Sequence, residues 1–461
     1  MPDLYQPNWE SLSQYTIPRW FMDAKLGIFI HWGVYAVPAF SNEWYPRNMY
    51  RRGTPEFEHH RAVWGAHRDF GYKDFIPMFK AEHWDPAAWV QLFQEAGARY
   101  IVPVAEHHDG FPMYATDLTP YNAAAMGPCR DIVADMATAV RAAGLKFGVS
   151  SHRAFNWRYY TFEDDFDTVD PRNAALYSPA HLENTPASAE FLDNWWSRTR
   201  ELVDRFEPDL LWFDFGWHEE EFAPCRPRIT SYYYNRALEW GREVVLNYKD
   251  KFPAGTAVWD IERGKLDAIR EEYWQTDTSV SYKSWCYVED DEFKSVTTLV
   301  HDLVDIVSKN GNLLLNVGPR PDGTIPEEVQ ERLRGLGAWL RVNGEAIYGT
   351  RHWATYGEGD TAVVTGHMTE RQNAAFGPGD VRFTVGSDAL YAILLGWPGA
   401  QATVRSLGSG SPLAAARIEA VSLLGAPGTL PWRQSEAGLT VDLPAAPVGE
   451  HAYTLKIVLK K

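Results

Sequence analysis

The stretch DLLWFDFG at residues 209–216 is an apolar run that ends in an aspartate and a glycine. It follows ASAEFLDNWWSRTRELVDRF at 187–206, where apolar residues recur at helical spacing. A continuous apolar strand after an amphipathic helix is typical of a parallel sheet covered by helices. Because this alternation repeats between about residues 20 and 320, we predict an α/β fold, a (β/α) TIM-like barrel in preference to an open doubly wound sheet.

Five further apolar runs predict other barrel strands, and two more segments have helical spacing. The strands are LGIFIHWG (26–33), ARYIVPVAEHH (98–108), LKFGVSS (145–151), EVVLNYKD (243–250) and NLLLNVGP (312–319), and the helices are DPAAWVQLFQEAG (85–97) and DIVADMATAVRAAG (131–144). No GxGxxG or GxxxxGK loop follows any of these strands, which argues against nucleotide binding.

After about residue 350 the helical spacing ends, and short β-rich runs such as VRFTVGS, ALYAILLGW and YTLKIVLK alternate with turn clusters. Such spacing predicts an antiparallel β-sandwich. We therefore expect a barrel that carries the functional site at residues 1–350 and a C-terminal β-sandwich at residues 351–461.

Composition excludes several classes of partner. The formal charge is −17 and the sequence pI is about 5.3, which argues against nucleic acid or an anionic membrane. No run reaches the roughly 18 apolar residues of a membrane span, and the start MPDLYQPNWE does not look like a signal peptide, so we expect a cytoplasmic protein. The three cysteines, widely spaced, define no disulfide or zinc pattern. The oligomeric state stays open, a homo-oligomer included.

Aromatic residues make up 14% of the chain, and their flat faces suit sugar rings, although a Trp-rich core is an equally good explanation for any one of them. Polar residues at strand ends are more specific, because barrel sites lie there. Three strands end at His31, at His107 and His108, and at His152, and a fourth ends at Asp214. A buried carboxylate is costly unless donors surround it or it has chemistry to perform. We predict that these side chains share one site.

Retaining glycoside hydrolysis needs a nucleophile and an acid/base, with carboxyl groups about 5–5.5 Å apart. Asp214 fits the first role, and YVEDDE at 287–292 offers acids for the second. Acidic runs are more often solvated surface, so this segment alone does not identify the acid/base.

Several motifs together resemble glycoside hydrolase family 29, the α-L-fucosidases. They are WFMDAKLGIFIHWG (20–33), EWY (43–45), AEHHDGF (105–111), GPCRD (127–131), LLWFDFG (210–216), VSKNGNLLLNVGPRPDGTIP (307–326) and NGEAIYGT (343–350). The resemblance runs from about residue 15 to 350 with order and spacing kept. It implies a barrel, often with an irregular number of helices, then a β-sandwich. It also implies retaining hydrolysis of terminal α-L-fucosides in fucosylated oligosaccharides or glycoconjugates, and we expect no metal or organic cofactor.

Matched position by position, the resemblance places the nucleophile on Asp214. In several members the acid/base lies shortly after a Ser-Trp-Gly-Tyr stretch, which favours Glu289 here, with Asp290, Asp291 and Glu292 as competitors. The residues expected to bind fucose are His31, Glu43, Trp44, His107, His108 and Trp212.

The chain departs from the family pattern at two places. Many members have Trp-Glu and then Ser-Trp-Gly-Tyr, whereas this chain has Trp274-Gln275 and then Ser284-Trp285-Cys286-Tyr287. A Tyr-containing strand end in many relatives is replaced by Ser150-Ser151-His152, so we expect His152 to bind the sugar.

The same residues are compatible with two other functions. The histidines and Asp214 could bind a metal in a metal-dependent barrel hydrolase. The adjacent His107 and His108 weaken that hypothesis, because they would point to opposite sides if both lay on a strand. Alternatively, the protein binds carbohydrate without catalysis, a reading that leaves the acidic loop unexplained.

Overall fold

A computed structural model describes residues 4–412 and 418–460. Eight parallel strands close into a barrel in chain order, and the last strand pairs back with the first. The strands are β1 (Leu26–Ile30), β2 (Tyr100–Glu106), β3 (Lys146–Ser151), β4 (Leu210–Phe213), β5 (Val245–Tyr248), β6 (Val258–Glu262), β7 (Trp274–Ser279) and β8 (Gly311–Val317). The predicted TIM-like barrel is confirmed.

Helices cover the barrel unevenly, as the family resemblance implies. The α-helices of the described residues are α1 (Trp9–Leu12), α2 (Arg19–Ala24), α3 (Tyr45–Asn48), α4 (Pro55–Val63), α5 (Pro86–Glu95), α6 (Ile132–Ala142), α7 (Ala174–Tyr177), α8 (Ala189–Phe206), α9 (Cys225–Trp240), α10 (Val296–Ser308) and α11 (Glu327–Asn343). No α-helix connects β5 to β6 or β6 to β7, two connections that are described throughout.

Helix α8 shows how the local sequence defines an element. The Ser188 side chain accepts a hydrogen bond from the Phe191 backbone N–H and so caps the first turn. The helix ends at Phe206, and the next residue, Glu207, adopts the left-handed conformation with φ 40°. Between these ends, residues such as Trp195 and Leu202 are buried against the barrel, so that the chain turns into β4 with Asp214 at its far end.

Strands β6 and β7 were not predicted, because they carry polar residues inside the barrel. Asp260 and Gln275 are fully buried. The Gln275 side chain donates to Asp260 and accepts from the Tyr100 hydroxyl, and the indole N–H of Trp212 also donates to Asp260. The amide of Gln275 thus supplies a donor that an ionised glutamate at this position would lack. Partners from other strands offset the cost of burial.

Two antiparallel sheets follow the barrel, with strand orders β13-β16-β11-β10-β9 and β12-β15-β14. Their strands are β9 (Arg351–Glu358), β10 (Val381–Val385), β11 (Ala389–Leu394), β12 (Gln401–Val404), β13 (Ile418–Leu423), β14 (Trp432–Ser435), β15 (Gly438–Asp442) and β16 (Tyr453–Leu459). They enclose a core of their own that includes Phe383, Leu439 and Leu455. The predicted antiparallel C-terminal fold is confirmed, whereas the domain boundary at 350/351 stays a prediction.

Sheet and barrel meet at α10. The Asp305 carboxylate on α10 binds Lys309 at 2.7 Å and Arg382 of β10 at 2.6 Å, and all three side chains are buried. No helix within the described ranges is long and apolar enough to cross a membrane.

Candidate active site

Asp214 follows β4 directly and is surrounded by donors. Its Oδ2 atom accepts from His108 Nε2 and from His152 Nδ1, both at 3.0 Å, and its Oδ1 atom lies 2.9 Å from Lys249 Nζ. The four side chains are buried and come from the ends of β2, β3, β4 and β5. The barrel therefore assembles a carboxylate site from four strand ends, and the predicted convergence of His108, His152 and Asp214 is observed.

The donors keep Asp214 ionised. Burial raises its pKa, but Lys249 and His152 outweigh that effect and hold the pKa well below its usual range. Burial lowers the pKa of His152 to about 4, so this ring is neutral, donating to Asp214 while accepting from Ser150 Oγ. Both nitrogens of His108 lie against oxygen atoms, since Nδ1 is 2.6 Å from the His152 carbonyl and Nε2 is 3.0 Å from Asp214 Oδ2.

Lys249 links Asp214 to further carboxylates. Its Nζ atom lies 2.7 Å from Glu262 Oε2 and 3.8 Å from Asp277 Oδ2. Burial lowers the pKa of Lys249, but the surrounding carboxylates, Asp214 first, raise it well above its usual range. Asp214 Oδ1 and Glu262 Oε2 both contact Lys249 Nζ, so these two oxygens can be no further apart than the sum of the two contact distances. This upper limit is close to the separation of roughly 5–5.5 Å between the carboxyl groups of a retaining pair.

His31 and His107 line the other side of the histidine cluster. The ring of His31 is 5.3 Å from that of His152, and its Nδ1 atom lies 2.7 Å from Asn316 Oδ1 on β8. His107 packs 4.9 Å from His152, and its buried Nδ1 atom has no hydrogen-bond partner among the described residues. Burial lowers the pKa of both His31 and His107 well below the usual range, so both rings are neutral.

Glu43 and the loop after β7 close the site near His31. Glu43 Oε2 accepts from the Trp285 backbone N–H at 2.9 Å and from Ser284 Oγ at 3.3 Å. The Trp285 ring lies 5.1 Å from the ring of His31. Burial raises the pKa of Glu43. The Ser284-Trp285-Cys286-Tyr287 segment, where the chain departs from the family pattern, therefore supplies the backbone donor that orients Glu43.

Aromatic side chains form the outer wall. The ring of Trp44 stacks 5.9 Å from Phe215 and lies 5.5 Å from His108. Gly216, at φ 101°, allows Phe155 to approach, because a Cβ there would lie 2.8 Å from the Phe155 nitrogen. Trp212 lies deeper, almost wholly buried, under His152 and Lys249. Such faces suit the C–H surface of a pyranose ring.

The predicted acid/base, Glu289, takes no part in the hydrogen bonds and ion pairs described above. Its side chain is exposed, and its backbone N–H donates to the Ala39 carbonyl. Asp291 is held by Ser281 Oγ, and Glu292 is exposed on the surface. None of these acids forms a hydrogen bond or ion pair with Asp214 or Lys249 in the described part of the chain.

Two overlapping sets of side chains have the spacing of metal ligands, namely His31 with His107 and His152, and His108 with His152 and Asp214. His107 and His108 lie beyond the end of β2, so both reach the site, and the expectation that a strand would point them apart does not apply. The Lys249 ammonium beside Asp214 repels a divalent cation. A metal therefore fits the second set poorly.

Sequence reasoning missed Lys249, Glu262, Asp277 and Asn316. Lys249 directly follows β5, so the strand-end rule that selected the histidines applies to it equally. Glu262 ends β6 and Asp277 lies within β7, the two strands that the apolar pattern did not reveal. Asn316 lies inside a predicted strand, where its side chain holds His31.

Comparisons with known proteins find relatives that match the whole length of the chain. A family model described as alpha-L-fucosidase matches residues 1–345, and one described as alpha-L-fucosidase C-terminal domain matches residues 372–458. Tissue alpha-L-fucosidase of Rattus norvegicus is 31% identical over 481 residues, covering 99% of this chain and 93% of the relative. The Homo sapiens tissue enzyme is also 31% identical, covering 99% and 92% of the two chains.

Among solved structures, the Thermotoga maritima alpha-fucosidase in complex with fucose superposes with a TM-score of 0.79. It is 32% identical, and the match covers 98% of this chain and 100% of that one. Fold, site and relatives together define a glycoside hydrolase. The chain belongs to the α-L-fucosidase family.

Proposed function

We propose that this protein hydrolyses terminal α-L-fucosides with retention of configuration, and that Asp214 is the nucleophile. The observation that carries the proposal is the ionised Asp214 carboxylate at the end of β4, held by His108, His152 and Lys249. A nucleophilic carboxylate must be ionised and correctly oriented before attack. These three donors from three strands support both requirements.

The proposed chemistry has two steps. In the first, an Asp214 oxygen bonds to the anomeric carbon of fucose while the bond to the leaving group breaks, and the acid donates a proton to the departing oxygen. In the second, the same residue removes a proton from water, which attacks the anomeric carbon and releases Asp214. The donors around Asp214 help this second step, because they stabilise the carboxylate as it leaves.

For the acid/base, the geometry favours Glu262 over Glu289, the residue favoured by the sequence. Glu262 shares Lys249 with Asp214, whereas Glu289 makes no contact with this group. The side chain of Glu262 is 23% exposed, so it borders both the buried site and solvent, as an acid that meets the leaving group must. Glu289 remains the alternative, because its side chain is exposed and so is open to a leaving group from solvent.

The nucleophile is tested with Asp214→Gly. Turnover should fall by several orders of magnitude with an unchanged fold, since the substitution removes chemistry rather than core packing. Added azide should restore part of the activity by entering the vacated space and attacking the anomeric carbon. A variant that keeps more than about a tenth of wild-type activity would remove Asp214 from the mechanism.

The acid/base is tested by comparing Glu262→Ala with Glu289→Ala on two substrates. A fucosyl disaccharide needs protonation of its leaving group, whereas a dinitrophenyl fucoside does not. The variant that lacks the acid should lose disaccharide cleavage, keep the first step on the aryl substrate and lose the basic limb of the pH profile. The other variant serves as the matched control. If neither shows this pattern, Asp291 and Glu292 are tested next.

We propose that fucose binds against His31, Glu43, Trp44, His107, His108, His152 and Trp212. His31 and His107 are the strongest candidates for direct hydrogen bonds, because the protein partners of His152 and His108 already occupy both nitrogens of each ring. A His31→Ala variant should bind a fucose-like iminosugar more weakly by calorimetry. Unchanged affinity would contradict this assignment.

The predicted substrates, fucosylated oligosaccharides or glycoconjugates, follow from the same proposal. The cytoplasmic location and the lack of nucleic-acid or membrane partners remain predictions, which cell fractionation and pull-down experiments test. Light scattering decides whether the protein is a homo-oligomer.

A further inference from the structure

A cavity of about 360 Å³ lies beside the proposed fucose site, between the loops after β1 and β3. Its lining contains three arginines, Arg47, Arg51 and Arg158, but one acidic residue, Glu183. The whole chain carries a formal charge of −17, so the charge of this arginine cluster is opposite in sign to the net charge of the protein. The volume is suitable for a sugar-sized ligand.

The guanidinium groups in this cavity are incompletely paired. Arg47 Nε, Arg51 Nε and Arg158 Nη1 are buried without hydrogen-bond partners among the described residues. Arg158 is neutralised by Glu221 at 2.6 Å, and Arg51 is paired at 3.1 Å with Glu183, whose side chain is 79% exposed. Arg47 makes no salt bridge within the described part of the chain.

The electrostatics of Arg47 point to an anion. Burial, together with Arg51 nearby, lowers the pKa of the Arg47 guanidinium. Its positive charge is therefore held at a free-energy cost, which a negatively charged ligand in the cavity would offset. Guanidinium groups form bidentate hydrogen bonds with planar or tetrahedral oxyanions, carboxylates and sulfates included.

The cavity adjoins the catalytic carboxylate. The guanidinium carbon of Arg47 lies 5.7 Å from the centre of the Trp44 ring and 5.8 Å from that of Phe155. The Phe155 ring, which lines the cavity, lies 5.3 Å from His108, whose Nε2 atom is 3.0 Å from Asp214. The side chains of Phe155 and His108 thus connect the cavity to Asp214.

We propose that this cavity binds an anionic substituent on the sugar linked to fucose, a sulfate ester or the carboxylate of a uronic acid, and so selects acidic substrates. The inference rests on the proposed fucosidase function. Arg47 and Arg51 bind the anionic substituent, and Phe155 and Phe162 present aromatic faces to the sugar ring. Fucose occupies the buried histidine site, and the sugar linked to it carries the anion.

The experiment measures kcat/KM on matched fucosyl disaccharides whose acceptor is a neutral hexosamine, the same hexosamine with a sulfate ester, or a uronic acid. A neutral aryl fucoside is run alongside. Wild type, Arg47→Gln, Arg51→Gln and Arg47→Lys are compared, and Arg68→Gln, at an exposed arginine outside the cavity, is the matched control. The ratio of kcat/KM on the acidic substrate to that on the neutral substrate is compared between variant and wild type. Differences in the intrinsic reactivity of the leaving groups cancel in this comparison.

The wild-type enzyme should prefer at least one acidic acceptor. The better of the sulfate and uronate substrates shows whether the cavity favours a sulfate ester or a carboxylate. Arg47→Gln or Arg51→Gln should lower the acidic-to-neutral ratio by about tenfold, as expected for the loss of a hydrogen bond to a charged group. Arg47→Lys should recover part of it, and added salt should reduce the preference.

Equal rates on acidic and neutral acceptors, with ratios in both Gln variants unchanged within about twofold, would overturn the inference while leaving the fucosidase proposal intact. Failure of the wild type to release fucose from any substrate, the aryl fucoside included, would instead overturn the proposed function itself.

Discussion

Removal of the Lys249 ammonium should impair catalysis most strongly on the acidic side of the pH profile. Lys249 lies 2.9 Å from Asp214, and both side chains are buried. At an effective dielectric constant near 20, unit charges about 4 Å apart interact by about 4 kcal/mol. At about 1.4 kcal/mol per tenfold change, the upper limit for Lys249→Met is roughly a thousandfold loss of kcat/KM.

Water that enters the site will reduce this effect, so we expect a loss of about 30- to 1000-fold under mildly acidic conditions. The physical reason is that Asp214, without its cation, binds a proton more readily and can no longer act as the nucleophile that we propose. The acidic limb of the kcat/KM profile should therefore move to higher pH. Measurement uses a neutral aryl fucoside across the pH range.

Stability should change with pH in the matching direction. Removing one member of a buried ion pair costs about 3–5 kcal/mol, because a charge is left without its partner. In Lys249→Met the carboxylates left behind have raised pKa values, so their cost is full at high pH and is relieved as they take up protons at low pH. The difference in Tm from wild type should shrink towards acid.

Lys249→Arg should restore much of the activity. Lys146→Met, which removes the cation paired with Asp209 at the opposite end of the barrel, should leave the pH profile unchanged. A Lys249→Met enzyme with the wild-type acidic limb and less than threefold loss of kcat/KM would refute the assignment of Lys249 as the group that keeps Asp214 ionised.

Two further predictions concern metal dependence and the junction between the barrel and the C-terminal sheet. Activity should survive exhaustive chelation, because two carboxyl groups suffice for retaining hydrolysis; loss of activity that a divalent ion restores would reassign the histidines as metal ligands. Asp305→Asn should cost about 3–5 kcal/mol of unfolding free energy near neutral pH, since Lys309 and Arg382 lose their buried partner. The pKa of Asp305 is lowered to about 2, because Lys309 and Arg382 outweigh the opposing effect of burial. The stabilisation is therefore present above pH 4 and lost as pH falls towards 2, so variant and wild type should converge in acid denaturation; a constant difference would contradict this explanation.

The strands predicted correctly are those that contain an uninterrupted apolar run. All of β1 is buried, and in β8 the consecutive leucines Leu313, Leu314 and Leu315 are fully buried, so hydrophobicity alone reveals the strand. The polar residue at the end of such a run then stands out, which is why His31, His107, His108, His152 and Asp214 could be predicted as one site.

Strands β6 and β7 follow a different physical rule. Asp260, Gln275 and Asp277 are buried because other strands supply partners, among them Trp212 and Lys249. A polar residue carries no sign in its own sequence that a distant donor will compensate for its desolvation. Glu262, which ends β6, therefore did not stand out in the sequence, whereas the acidic run that contains Glu289 did.

The sequence by itself determined the barrel, the antiparallel sheets after it and the residue at the carboxyl end of β4, because apolar periodicity and strand-end polarity are local patterns. Only the tertiary structure decided which charges meet. Lys249 lies between Asp214 and Glu262 because β5 lies between β4 and β6 in the closed barrel. Arg47 and Arg158 likewise face one cavity although more than a hundred residues separate them, since electrostatic interactions depend on distance in space and not along the chain.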